Sequence, residues 1–193
     1  MIKTIVLATH NPHKVEEFQK AVDKKYKIVS ADEIGILEEP LETGKTFSEN
    51  ALIKARFVAS KTSFPVIADD SGLEIHALGN FPGIYSSRFM EGHTYQEKCL
   101  ELINRLSPFK DKSAHFTSCI AYIDEERNEF VFEGKCEGMI IDKMMGNQGF
   151  GYDPIFYVPA YNKTFAELSI EEKSVISHRG KSIQKWLKFL LSK

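Results

Sequence analysis

The amino-acid sequence predicts an α/β fold built on a mixed sheet. Strand-like and helix-like periods alternate through roughly the first sixty residues. Two longer β runs, about 114–123 and 129–138, then flank a turn at Asp124 to Asn128. The C-terminal segment carries Ile183, Trp186, Leu187, Leu190 and Leu191 at i, i+3, i+4, i+7 and i+8, a core-facing helical stripe. Alternation favours parallel strands joined by crossover helices, whereas a hairpin requires antiparallel pairing, so a purely parallel sheet is not expected.

The elements follow in order. Residues 2–8 form a first strand whose apolar core is too short for a secretory signal; it ends in the polar turn Thr9-His10-Asn11-Pro12. A helix carrying Val15, Phe18, Ala21 and Val22 follows, with Pro12 suited to its first turn. A second strand lies near Tyr26 to Val29, and an acidic segment holds Glu38, Glu39 and Glu42. Thr46-x-x-Glu49 has the form of a capping box and opens a helix reaching about Lys61. Two short β runs, Pro65 to Ala68 and Leu73 to His76, are separated by Asp69-Asp70-Ser71-Gly72. Gly79 to Gly83 reads as a loop. Thr94-x-x-Glu97 caps a helix with Leu100, Ile103 and Leu106 on one side, and Gly146 to Gly151 is a loop before the apolar run Ile155 to Val158. The last helix starts near Ser177.

With 193 residues, 42% of them hydrophobic, and no repeat or linker, residues 1–193 are expected to form one domain. The 25 basic and 27 acidic residues give a net charge of −2, which offers no basic surface for nucleic acid or an anionic membrane. No apolar stretch is long enough to span a bilayer. Cys99, Cys119 and Cys136 form neither a CxxC pair nor a disulfide pattern, which places the protein in a reducing cytoplasm.

Four polar segments could carry chemistry. Thr9 to Lys14 offers a hydroxyl, an amide and a lysine where a strand meets a helix N-terminus, a combination suited to phosphate, or equally an ordinary capped turn. Asp69-Asp70-Ser71 could hold a hard cation such as Mg²⁺, with Glu42 or Glu49 assisting; alone, the segment reads better as a β-turn. In Gly149-Phe150-Gly151-Tyr152-Asp153, glycines beside Phe150 leave a ring face open for stacking on a planar base, or the Phe is simply core. Lys173 to Arg179 ends with His178 and Arg179 in the first turn of the last helix. Cations there oppose the helix dipole unless an anion or acceptor-rich ligand lies near, and that broken rule favours a functional reading. His10, His13, His76, His93 and His115 show no metal-ligand spacing, and no side-chain nucleophile with its base can be placed.

Taken together, LATHNPHK, ETGKTFSENALIKA, IADDSGLEI, FPGIYSSRF, GFGYDPIF, TFAEL and EEKSVISHRG run from Leu7 to Gly180. In this order they resemble the Ham1/RdgB-like inosine triphosphate pyrophosphatases, a family acting on non-canonical purine nucleoside triphosphates. The resemblance implies an elongated mixed sheet flanked by helices, with two lobes and a central cleft. It also implies a Mg²⁺-dependent homodimer hydrolysing ITP, dITP and XTP to the monophosphate and pyrophosphate. By motif, Thr9, His10, Asn11, Pro12, His13 and Lys14 would hold the phosphates. Asp70 would bind metal and activate water, with Ser71 a substrate contact. Phe150, Gly151, Tyr152, Asp153, Lys173, His178 and Arg179 would surround the base. Relatives often carry two acids before the Thr-Gly, whereas this chain has Leu41-Glu42, which leaves Glu42 or Glu49 as the second metal ligand. The alternative is a non-catalytic nucleotide- or RNA-binding module with Phe150 as its stacking platform.

Overall fold

The structure, a computed structural model, describes residues 2–192. Its elements are β1 Lys3–Leu7, α1 Pro12–Ala21, β2 Tyr26–Ser30, α2 Phe47–Ala59, β3 Val66–Ile75, β4 Phe81–Pro82, α3 Tyr95–Leu106, β5 Ser113–Ile123, β6 Glu129–Ile140, β7 Phe156–Val158, β8 Lys163–Thr164, α4 Ile170–Ile176 and α5 His178–Leu191. The strands form one mixed sheet in the order β2-β1-β3-β5-β6-β7-β8, with β4 paired to β3. β1 runs parallel to both β2 and β3, while β3–β4, β6–β7 and β7–β8 are antiparallel. None of the helices among the described residues is long and apolar enough to cross a membrane.

The chain divides into two compact units. The first comprises Met1–Asp70, Ser118–Gly134 and Ser182–Lys193; the second comprises Ser71–Thr117 and Lys135–Lys181. The divisions fall inside β3, β5, β6 and α5, so neither unit is a continuous stretch of sequence. The first unit's core joins Ile5, Leu7, Phe18, Ile28, Ile67 and Trp186. In the second unit, Leu73, Ile75, Leu102, Phe116, Phe156 and Phe165 pack together.

Several sequence expectations are corrected. Residues 66–75 form one ten-residue strand, not two short runs around a turn. Asp and Ser usually favour turns, but the two carboxylates here find lysine partners, so the ladder continues through them. The buried face of α3 is Lys98, Cys99, Leu102 and Leu106, whereas Leu100 is exposed. The spacing 99, 102, 106 follows the 3.6-residue period, while 100, 103, 106 drifts around the helix. Leu191, at the end of the last stripe, is also exposed. A short helix, α4, goes unpredicted by the sequence reading although Ser169 and Glu172 form its capping box. The capping box at Thr94 and Glu97 is present. At Thr46 only the forward bond forms, because the Glu49 carboxylate instead accepts from the Lys45 amide at 2.6 Å.

The three cysteines are free and buried. Burial pushes the Cys99 and Cys119 thiols up to about 12 and Cys136 to about 11, with the negative charges of Asp153 and Glu133 adding to the first two. A raised thiol pKa keeps the protonated, unreactive form, so at pH 8 roughly one thiolate in a thousand or fewer forms. A thiol-reactive disulfide reagent at pH 8 is expected to leave all three unlabelled in the folded protein and to label all three in denaturant. Rapid stoichiometric labelling without denaturant would contradict this.

Candidate active site

In the first unit, β1 ends at Leu7 and α1 begins at Pro12, so residues 8–11 form a short strand-to-helix turn. Asn11 is the N-cap, its side chain accepting from the His13 amide at 3.0 Å, and Thr9 Oγ1 accepts from the Asn11 amide at 3.1 Å. The capping use of Asn11 is thus realised. His10 turns toward the following loop, with Nδ1 2.9 Å from Glu39. A neighbouring pocket lined by His10, Pro12, Glu16, Lys20, Asp32 and Glu33 carries three carboxylates, which oppose a polyanion. Lys14 reaches the other way: its Nζ lies 2.8 Å from Asp69 Oδ2 and donates to the Asp69 carbonyl at 3.3 Å.

The adjacent aspartates occupy the interior of β3, where successive side chains point to opposite faces. Asp69 is 2% exposed, and its Oδ1 accepts from Ser118 Oγ at 2.7 Å. Asp70 has a different environment. Lys54, on α2, places its ammonium 2.7 Å from Asp70 Oδ1 and 2.8 Å from Glu42 Oε1. Asp70 Oδ2 is buried with no hydrogen-bond partner among the described residues. Burial holds the Asp70 carboxyl above the ordinary range despite Lys54 beside it. Burial also opposes charge on Lys54, but two carboxylates outweigh it and the ammonium pKa rises. Lys54 thus bridges the two carboxylates, and the charge of Lys14 also acts on Asp70.

Leu41 is 85% exposed, and Glu49 is spent on the Lys45 amide. Glu42 is therefore the acid that accompanies Asp70. Gly44 lets the loop after Glu42 close onto the start of α2, since a Cβ there would lie 2.6 Å from Asn50 Oδ1. The pair Asp70 and Glu42, with one buried carboxylate oxygen unbonded, fits a hard cation that takes oxygen ligands.

In the second unit, Asp153 is 4% exposed and accepts both the Phe150 amide at 2.8 Å and Lys173 Nζ. Burial raises its carboxyl pKa, and Lys173 acts against that rise. Gly149, at φ +75°, permits the closed loop, because a Cβ there would sit 2.1 Å from Asp153 Oδ2. The half-buried Phe150 ring has Lys173 Nζ at 5.2 Å and the Arg179 guanidinium at 5.5 Å from its centroid. Ser177 caps α5 by accepting from the Gly180 amide at 3.0 Å, which puts His178 and Arg179 in the first turn. His178 stacks on Phe116 at 4.6 Å between centroids, and Arg179 Nη2 donates to Ser71 Oγ at 2.9 Å. Ser71 follows Asp70 directly in the chain. Tyr152 is a core residue: it is 3% exposed and its hydroxyl donates to the Ser86 carbonyl at 2.7 Å.

Lys54 carries no local signal in its helix, and only its approach to Asp70 and Glu42 in the fold gives it a place in the site. His76 and His115, with Glu137, bring their ligand atoms within 4.8 Å of one another. No local spacing signals that group.

The first unit thus holds lysine-bridged carboxylates inside a strand, and the second holds a glycine-flanked aromatic ring with two cations within 5.5 Å of its centroid, in a mixed α/β fold. The model of the Ham1 family matches residues 5–189. The chain belongs to the Ham1 family. It is 48% identical over 185 residues to a dITP/XTP pyrophosphatase of Desulfotalea psychrophila, covering 95% of this chain and 83% of the relative. It is 45% identical over 194 residues to a dITP/XTP pyrophosphatase of Thermoanaerobacter pseudethanolicus, covering 98% and 97%. Among solved structures, the Staphylococcus aureus Ham1 protein superposes with a TM-score of 0.91 at 40% identity, covering 98% of this chain and 99% of that one. A HAM1 protein from Coxiella burnetii gives 0.92 at 39% identity over the whole of both chains.

Proposed function

We propose that this chain hydrolyses the non-canonical purine nucleoside triphosphates ITP, dITP and XTP to the monophosphate and pyrophosphate. The observation that carries the reading is Asp70, a strand-interior carboxylate with one oxygen on Lys54 and the other buried and unbonded. Mg²⁺ held by Asp70 and Glu42 would neutralise charge on the phosphoryl oxygens. The protein's own groups do the rest. Asp70 accepts the proton of the attacking water. Lys54 keeps the two carboxylates within reach of each other, and Lys14 and Lys54 offer N–H donors to the phosphates. Thr9, His10 and Asn11 in the turn, with Pro12 and His13 opening α1, set the path of the phosphate-side backbone. Ser71 orients Arg179.

Base choice follows from donor chemistry. Hypoxanthine and xanthine present an acceptor at O6, where adenine presents an amino donor. Lys173, His178 and Arg179 are donors, and Phe150 and Gly151 supply the stacking surface. An adenine would set its own amino donor against those donors, and hydrogen-bonding sites of this kind discriminate by up to about 10⁴–10⁵-fold. Asp153 holds Lys173 in position. Free buried thiols and balanced charge support a cytoplasmic enzyme of small nucleotides that leaves nucleic acid alone. The family resemblance supports action as a homodimer and the full chain working as one domain.

The test is pyrophosphate release from ITP, XTP, GTP and ATP, with and without Mg²⁺. Expected is Mg²⁺-dependent release from ITP and XTP far above that from ATP. In Arg179→Ala, the ITP-to-ATP ratio of kcat/KM should fall about 10–100-fold, the value of a lost charge-assisted hydrogen bond. Orthophosphate as the product, or equal rates on ITP and ATP, would overturn the reading.

A further inference from the structure

The second unit brings together His76, directly after β3, His115 on β5 and Glu137 on β6. Because neighbouring strand residues face opposite ways, His115 and Glu137 point away from the core that contains Phe116 and Cys136. His178 stacks on Phe116, so the cluster lies on the other side of the sheet from the base-side residue His178. His76 and Glu137 are exposed, and the His115 side chain is 12% exposed.

The hydrogen bonds around the two imidazoles decide where their protons sit. Ser113 Oγ gives its single hydrogen to Asp111 Oδ1 at 2.6 Å, so its 2.8 Å contact with His76 Nδ1 requires the ring N–H to donate. Glu74 Oε2 already accepts from Thr117 Oγ1 at 2.6 Å, and it takes the Nε2–H of His115 at 2.8 Å. A neutral imidazole has one N–H. The facing nitrogens, His76 Nε2 and His115 Nδ1, therefore both present lone pairs, only 2.8 Å apart. Two lone pairs at that distance repel unless a cation lies between them, and the Glu137 carboxylate adds negative charge at the same place.

We propose that His76 Nε2, His115 Nδ1 and the Glu137 carboxylate bind a divalent transition-metal ion of the zinc type, with a fourth position open to water. Two imidazoles and a carboxylate suit zinc, whereas Mg²⁺ prefers oxygen ligands, so this cation differs in kind from one held by Asp70 and Glu42. Bonds of about 2.0–2.1 Å in a tetrahedron place the two nitrogens about 3.3 Å apart, which asks for a small opening of the present contact. The Glu74–His115 and Ser113–His76 bonds are the outer contacts that orient metal-binding imidazoles. The ligands come from three strand segments of one unit, so bound metal stabilises that unit by mass action.

The test uses the full chain, stripped with a chelator and dialysed against zinc alone near pH 7.5. The wild type is expected to take up one equivalent at micromolar zinc and to gain thermal stability. His76→Ala and Glu137→Gln, both at exposed positions, should lose that uptake while keeping the metal-free Tm. Glu74→Gln should weaken it about 10–100-fold through the loss of the supporting carboxylate. Cobalt(II) in place of zinc should show the absorption of a four-coordinate nitrogen–oxygen site. No uptake by the wild type, meaning that a shared proton alone links the imidazoles, would overturn the proposal. So would uptake unchanged in His76→Ala and Glu137→Gln, or displacement by millimolar Mg²⁺.

Discussion

Asp70→Asn lowers kcat for pyrophosphate release from ITP by about 10²–10⁴-fold, the usual contribution of a positioned general base, and more if the cation is lost with it. The amide has the shape of the carboxylate but cannot accept the proton of water at neutral pH, and it is a poorer cation ligand. The fold should tolerate the change. Lys54 keeps Glu42 at 2.8 Å, and the substitution removes a carboxylate whose burial opposes its charge. Under the proposed function nucleotide binding should persist as well, because the substitution leaves Lys14, Lys173 and Arg179 in place. Turnover measured beside ITP binding by calorimetry and Tm separates these effects. A kcat within tenfold of wild type, with binding intact, would remove Asp70 from the chemistry.

Lys173→Met should cost about 3–5 kcal/mol of folding stability, the usual result of stranding one member of a buried ion pair. Asp153 is almost fully buried, with the Phe150 amide as a further hydrogen-bond donor. Burial already raises its carboxyl pKa, and Lys173 is the largest influence opposing that rise. Without Lys173, the folded state binds the proton more tightly than the unfolded chain does. A group with a raised folded-state pKa loses stability as pH rises, so the deficit should be larger at pH 8 than at pH 5. Adding Asp153→Asn should recover much of the loss, because no charge is then left buried. Urea unfolding of both variants at the two pH values checks this. An equal deficit at pH 5 and pH 8, or no recovery in the double variant, would show that the pair is not coupled in this way.

The local features were legible because they are written within a turn or two of chain. Asn11 and Ser177 cap the helices that their positions suggested, and Thr94 with Glu97 closes a reciprocal box. The long hairpin runs and the mixed pairing also emerged as the periods implied. Misreadings came where a long-range partner overrides a local preference. Asp69-Asp70-Ser71-Gly72 looks like a turn until Lys14 and Lys54 arrive to neutralise two strand-interior carboxylates. Tyr152 looks like a ligand contact until Ser86 is found to take its hydroxyl proton.

By itself, the sequence determined the class of fold, the order of most elements and the motifs that resemble one family. Each of these depends on residue identity, period and order along the chain. Tertiary structure alone decided which charges meet. Arg179 finds Ser71 across 108 residues, and Lys54 finds Asp70 across 16. His76 and His115 meet across 39. Such contacts depend on strand register and on which face each side chain takes. A shift of one residue would reverse every facing, and no local period records which register the sheet adopts.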